Sequence, residues 1–224
     1  MGSKSSFGTV YSYPNNFRVQ RAQVIAALNG LEIDVPEFQF GQANKTPEFL
    51  AKFPLGKVPA FEGADGFTLS EGAAIATYLA GSGPRAEQLL GSDPKTKAKI
   101  AEWTLFTDTE LVSHFTPALI MMLKFRPYDE ALYSFSASAF ERALHKVEAA
   151  VKGGKKYLVG EQLTLADLMV AAALFFASGF LLDAEMRKTA PATIEYLKGI
   201  AATPEFAKVF GEYKPVETRV KGGA

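Results

Sequence analysis

A chain of 224 residues with 48% apolar content is long enough to pack one large domain or two small ones, and it reads as a folded, soluble protein. Its 24 basic residues cancel its 24 acidic ones, so no global field points to nucleic acid or to an anionic membrane. Cysteine is absent, which removes disulfides, thiolate metal sites and a cysteine nucleophile together.

Strand and helix patterns alternate through the first eighty residues. Residues 7–12 are rich in aromatic and β-branched side chains and read as a short strand, and residues 17–28 as a helix stopped by Asn29-Gly30. Residues 31–35 alternate with period two, a half-buried strand. Thr46-Pro47-Glu48 supplies an N-cap, a proline at the first helical position and an acid in the first turn, opening a helix expected to end near Gly56. Two strands follow, at 60–61 and 67–69, joined by the Ala64-Asp65-Gly66 turn. Ser70 reads as the N-cap of a helix running from Glu71 to about Ala80.

Strand signals end there, and Gly81-Ser82-Gly83-Pro84 reads as a linker. From Asp93-Pro94 onward the pattern is helical. Phe140, Leu144, Val147 and Val151 form one apolar stripe, and Thr164-Leu165-Ala166-Asp167 has capping-box spacing ahead of a 15-residue run without charge between Asp167 and Asp183. That run is shorter than the ~20 residues needed to cross a bilayer and reads as a buried helix. Ala190-Pro191 and Thr203-Pro204-Glu205 start two further helices, and the tail after Lys214 is expected to be loose. The expected domains are 1–82 and 90–216. The opening Met1-Gly2-Ser3-Lys4-Ser5-Ser6 fits a myristoylation pattern formally but reads as an unstructured leader. With no secretory signal pattern, the cytoplasm is the expected compartment.

One segment carries chemistry of its own. In Lys57-Val58-Pro59-Ala60-Phe61 the proline cannot donate a ladder hydrogen bond, so it marks a turn whose neighbouring backbone stays free. Glu71, in the first turn of the next helix, sits beside amides that favour anionic groups, and its carboxylate can receive an ammonium. A free backbone edge at a fixed distance from a carboxylate suits a small peptide. His114 and His145 lie near no acidic cluster of metal-ligand spacing, so no metal is expected.

Jointly, Gly56-Lys57-Val58-Pro59-Ala60-Phe61, Leu69-Ser70-Glu71, Ala74-Ile75-Ala76-Thr77-Tyr78-Leu79 and residues 160–167 resemble the glutathione transferase family over nearly the whole chain. The resemblance implies a thioredoxin-like α/β amino-terminal domain followed by an all-α carboxy-terminal domain. Residues 8–14, 40–50 and 52–63 are more narrowly similar to the amino-terminal domain of the elongation factor 1 gamma subunit. Members of that group continue into a lysine-rich linker and a further domain, so this chain is expected to be an excised domain or a shortened relative.

From the resemblance, Val58 pairs through its backbone with the cysteinyl residue of glutathione, beside Pro59, a mode of strand addition. Glu71 receives the γ-glutamyl ammonium, and Lys57, with Asn44 and Lys45, holds the glycyl carboxylate. The family usually has Ser after the acidic residue; here Gly72 keeps only the helix amide. One lost hydrogen bond of this kind weakens binding by ~1–2 kcal/mol, roughly five- to thirty-fold.

A thiol with a pKa near ~8.5 needs a donor that stabilises its thiolate. Asn15 and Asn16 occupy the family position for that donor, with Ser12 and Tyr13 as neighbouring alternatives. Without cysteine the glutaredoxin-like branch is excluded. Trp103, Phe106, Met121, Met122 and Phe125 lie near where relatives bind a hydrophobic second substrate, although such residues mostly fill cores. Arg18 is expected to pair with an acid at a domain or subunit contact. Three functions follow from the resemblance, and the long match over residues 41–63 favours the first. One is an interaction module of the elongation machinery that docks the nucleotide-exchange subunit, with weak glutathione binding. Another is a glutathione transferase acting on hydrophobic electrophiles, and the third a structural relative that binds neither. A homodimer is implied, with glutathione as the ligand, no metal, no direct nucleic-acid contact and no membrane.

Overall fold

In a computed structural model, residues 6–221 are described; most of the amino-terminal leader, and with it the acylation pattern, lies outside them. The chain divides into two compact units, one ending at Ser92 and the other beginning at Asp93.

The first unit is built on a four-stranded sheet of order β2-β1-β3-β4, with β1 at Gly8–Tyr11, β2 at Ile33–Asp34, β3 at Ala60–Gly63 and β4 at Thr68–Ser70. β1 runs parallel to β2 and antiparallel to β3, and β3 is antiparallel to β4. Side chains alternate across such a sheet. Tyr11 and Ala60, partners in register, face Phe49 and Phe53 around helix α2 (Pro47–Lys52), whereas Phe61 meets Tyr78 of helix α3 (Gly72–Gly81) at 5.6 Å between rings. Helix α1 (Phe17–Leu28) packs on α3. Asn29 ends α1 and locks it to that partner: its Nδ2 donates to Leu79 O and Ala80 O at 2.8 and 2.9 Å, and its Oδ1 accepts from Arg85 N. Gly83 is obligatory beside it, because a Cβ there would stand 2.5 Å from Asn29 Cβ.

The elements differ from expectation mainly at their ends. β2 keeps two residues, and α2 stops at Lys52. Ser70 is the last residue of β4 rather than a cap; the N-cap of α3 is Glu71, at φ 69° and ψ 118°.

The second unit is helical. α5 (Pro94–Phe106) continues through a π-helical turn, Thr107–Val112, into α6 (Ser113–Met122), after α4 (Ala86–Leu90) of the first unit. α7 spans Glu130–Val151, and its expected stripe is the buried one, with Phe140, Leu144 and Val147 at 0% exposure. α8 (Leu165–Ala177) is buried from Leu165 through Leu174. Asp167 anchors its start by accepting from Thr164 N (2.8 Å), Thr164 Oγ (3.0 Å), Leu158 N (2.8 Å) and Tyr196 Oη (3.0 Å). Burial pushes its carboxyl pKa up, with these four donors acting against that shift. α9 (Ala184–Thr189), α10 (Pro191–Ala201) and α11 (Pro204–Phe210) complete the unit.

The tail is not loose. Val216 N and Val220 N donate to Ser178 O and Phe180 O, carbonyls left open where α8 ends, and Arg219 forks onto Asp183 at 2.7 and 3.1 Å.

Candidate functional site

Strand direction decides where the candidate residues meet. Tyr11, Ala60 and Ser70 stand side by side across three strands. β1 and β4 leave the sheet at this row and β3 enters at it, so Ser12, Pro59 and Glu71 emerge together at one end. Adjacent strands are ~4.8 Å apart, which spreads the three over roughly 10 Å, the span of an extended tripeptide. The Val58-Pro59 bond is cis; Val58 is half-buried and Pro59 buried.

Glu71 is exposed, and its side chain caps no helix amide. A positive φ at a non-glycine residue costs of order 1–3 kcal/mol and is typical of ligand clamps. The start of α3 therefore has neither a side-chain cap nor an acid in its first turn. Gly72 follows, and the structure gives a reason for glycine here. A Cβ would stand 3.0 Å from Arg18 Cδ and 3.4 Å from Nη2 of the buried Arg21. Arg18 makes no ion pair among the described residues; its guanidinium lies 4.7 Å from the centre of the Phe17 ring.

The loop before α2 is held by Asn44, which is 6% exposed. Its Oδ1 accepts from Gly41 N at 2.6 Å and its Nδ2 donates to Gly56 O at 2.7 Å. That side chain is committed to backbone, and its effect is to bring the residues after each anchor together. Lys45 and Lys57 are both exposed there.

At the turn between β1 and α1 the two asparagines separate in role. Asn16 is 2% exposed and is the N-cap: its Oδ1 accepts from Arg18 N at 3.1 Å and its Nδ2 donates to Ser12 Oγ at 2.9 Å. Asn15 is exposed, at φ 59°. Tyr13, also exposed, packs its ring against Phe40 at 5.8 Å. Sequence reasoning missed one neighbour. Tyr11 Oη donates to Glu62 Oε2 at 3.1 Å while Lys52 Nζ holds Oε1 at 2.6 Å. Burial, then the Glu62 carboxylate, raises the phenol, so Tyr11 is a structural hydroxyl.

The remaining candidates lie in the helical unit. Trp103, Phe106 and Met121 are 6%, 7% and 1% exposed and serve as core, Met122 is half-buried, and Phe125 is 82% exposed. His145 Nε2 meets Thr189 Oγ1, and no group of three metal-ligating side chains occurs among the described residues. No helix among them is long and apolar enough to cross a membrane. A cavity of about 510 Å³ in the first unit, lined by Phe7, Leu31 and Ala64 among others, lies at the opposite end of the sheet from Pro59 and contains none of these residues.

A thioredoxin-like four-stranded mixed sheet flanked by helices, in a chain with a second, all-helical unit, defines the fold class. The family models agree: residues 6–81 match "Glutathione S-transferase, N-terminal domain" and residues 107–204 match "Glutathione S-transferase, C-terminal domain". The chain belongs to the glutathione transferase family. It is 45% identical over 205 residues to the glutathione S-transferase-like protein LUC7 of Fusarium sp, covering 92% of this chain and 93% of that one. It is 36% identical over 214 residues to human elongation factor 1-gamma, covering 94% of this chain but 48% of that protein. A solved structure of the Phanerochaete chrysosporium glutathione transferase URE2P6, in complex with oxidized glutathione, has the same fold, with a TM-score of 0.83 at 20% identity over 93% of this chain and 97% of that one.

Proposed function

We propose that this protein binds glutathione at the row formed by Ser12, Pro59 and Glu71 and adds its sulfur to hydrophobic electrophiles. The observation that carries the reading is the three-strand register, which delivers a turn rich in donors, a free backbone edge and an exposed carboxylate to one end of the sheet. The cysteinyl backbone pairs with Val58 as an added strand. Glu71 takes the γ-glutamyl ammonium, the amides at Gly72 and Ala73 take its carboxylate, and Lys45 and Lys57 take the glycyl carboxylate.

Asn15 is the exposed amide that stabilises the thiolate. Asn16 acts as a positioning residue, fixing the turn through Ser12 and Arg18. The positive end of α1 adds to the same effect. The thiol proton leaves to solvent, the sulfur lone pair forms a bond to the electrophilic carbon, and the leaving group departs with the displaced electron pair. The 45% identity to a glutathione S-transferase-like protein supports this reading over the alternatives.

A second reading has its own support, in the 36% identity to elongation factor 1-gamma. In that reading the chain docks a nucleotide-exchange subunit in the cytoplasm and binds glutathione weakly. The two readings are compatible, and both include a homodimer. Calorimetric titration with glutathione, followed by conjugation of a chlorinated nitrobenzene, separates them. Binding with turnover that falls in Asn15→Ala at unchanged thermal stability supports the enzyme. Binding without turnover, together with co-purification of the exchange subunit, supports the module. No heat at millimolar glutathione overturns the site.

A further inference from the structure

The helical unit contains a slot that the glutathione reading does not use. α7 ends at Val151, and the chain turns through Gly153 and Gly154, at φ 83° and 80°, into residues 154–157, which face α10 across a space. That space, about 420 Å³, is floored by Val151, Tyr196 and Ile200, each no more than 5% exposed. On α10 the wall is Gly199, where nothing lies within 4 Å of the position a Cβ would take. A helix that carries an interior glycine gives up ~1 kcal/mol relative to alanine, and here, in the last turn of α10, the missing side chain leaves the slot open.

The rim is cationic. Lys155 and Lys156 are exposed and form no ion pair among the described residues. Glu195, the one acid of the lining, is held by Lys198 Nζ at 2.9 Å. The Tyr196 hydroxyl is committed to Asp167 and adds no free polar group to the floor. A slot of this volume takes one small molecule, and an apolar floor under two unneutralised ammonium groups selects an amphipathic anion.

We propose that this slot binds a small aromatic carboxylate, its ring against Val151, Tyr196 and Ile200 and its carboxylate between Lys155 and Lys156. All the lining residues belong to the helical unit, and the proposal does not depend on glutathione binding.

Titration of the whole chain with 1-naphthoate, in the presence of saturating S-hexylglutathione, tests it. Submillimolar binding is expected. Gly199→Leu should abolish it, with a melting temperature no lower than the parent's. Lys155→Gln combined with Lys156→Gln should weaken it roughly five- to tenfold, the effect of two partly exposed charges. Neutral 1-naphthalenemethanol should bind the parent and the double variant alike. The proposal is overturned by no binding to the parent, by undiminished binding to either variant, or by displacement with S-hexylglutathione.

Discussion

Replacing Gly72 with serine supplies the residue that the family resemblance implies after the acid, and the structure fixes what that replacement meets. The added Cβ stands 3.0 Å from Arg18 Cδ, 3.5 Å from Arg18 Cβ and 3.4 Å from Arg21 Nη2. Arg21 is 1% exposed and has no room to give, whereas the half-buried Arg18 can shift a few tenths of an ångström at its flexible stem. A displaced rotamer costs about 0.5–1 kcal/mol. The serine hydroxyl gains one hydrogen bond to the γ-glutamyl carboxylate, worth about 1–2 kcal/mol. Gly72→Ala separates the two effects, since it brings the Cβ without the hydroxyl. Calorimetric titration with glutathione should therefore rank Ser above Ala by roughly five- to thirty-fold, with alanine slightly weaker than the parent. Equal affinities for the Ser and Ala variants, at equal melting temperatures, would refute the placement of the γ-glutamyl group at this helix start.

Three further outcomes are expected. Glu71→Gln should weaken glutathione roughly tenfold, the worth of a charge-assisted contact, yet leave affinity for N-acetylated glutathione unchanged, because that ligand lacks the ammonium. Asp167→Ala strands two amides and two hydroxyls in a fully buried position and should lower urea-unfolding stability by about 3–5 kcal/mol, whereas Asn16→Ala, losing a cap and one buried hydrogen bond, should lower it by about 1–2 kcal/mol. Burial alone would raise Asp183, but the Arg219 fork and the Met186 amide outweigh it and hold the carboxyl below its usual 3.8. A depressed carboxylate stabilises the fold above its unfolded pKa and loses that contribution as pH falls through the folded value. The stability gap between the parent and Arg219→Ala should thus be full at neutral pH and narrow below about pH 4; a gap constant with pH would count against the pairing.

The division between what the sequence shows and what it hides follows from what a side chain has to do. Alternation and caps specify β1, α1, α2 and α8, because each feature acts within a few residues of itself: Thr46 accepts from Phe49 N, and Asp167 closes the box on Thr164. Ser70 misleads because serine caps helices from an extended conformation, and here that conformation is still in the ladder with Ala60. The turn into α3 then falls to Glu71 at positive φ, which no residue type announces outside glycine and asparagine. Asn44 and Asn16 read as ligands because their amides could serve a substrate. Their partners, Gly56 and Ser12, are backbone and side-chain atoms whose proximity exists only after folding. The tail reads as loose for the same reason, its acceptors being carbonyls just past the end of α8, about forty residues earlier in the chain.

The two asparagines share a geometry, and under the glutathione reading it bears on how the site works. Each buried asparagine stands beside an exposed neighbour: Asn44 beside Lys45, with Lys57 next to its partner Gly56, and Asn16 beside Asn15. The buried member fixes the backbone, and in the proposed binding mode the exposed one meets the ligand. Affinity and chemistry then rest on few atoms, since the edge at Val58 and the amides at the start of α3 are main chain and cannot be tuned by substitution. In that mode, Asn15, Glu71 and the side chain missing at Gly72 are the positions through which selection can change the thiolate, the ammonium contact and the carboxylate contact separately. A scaffold this constrained tolerates glycine at 72 because Arg18 occupies the space beside it, so binding strength and helix packing are linked at that single residue.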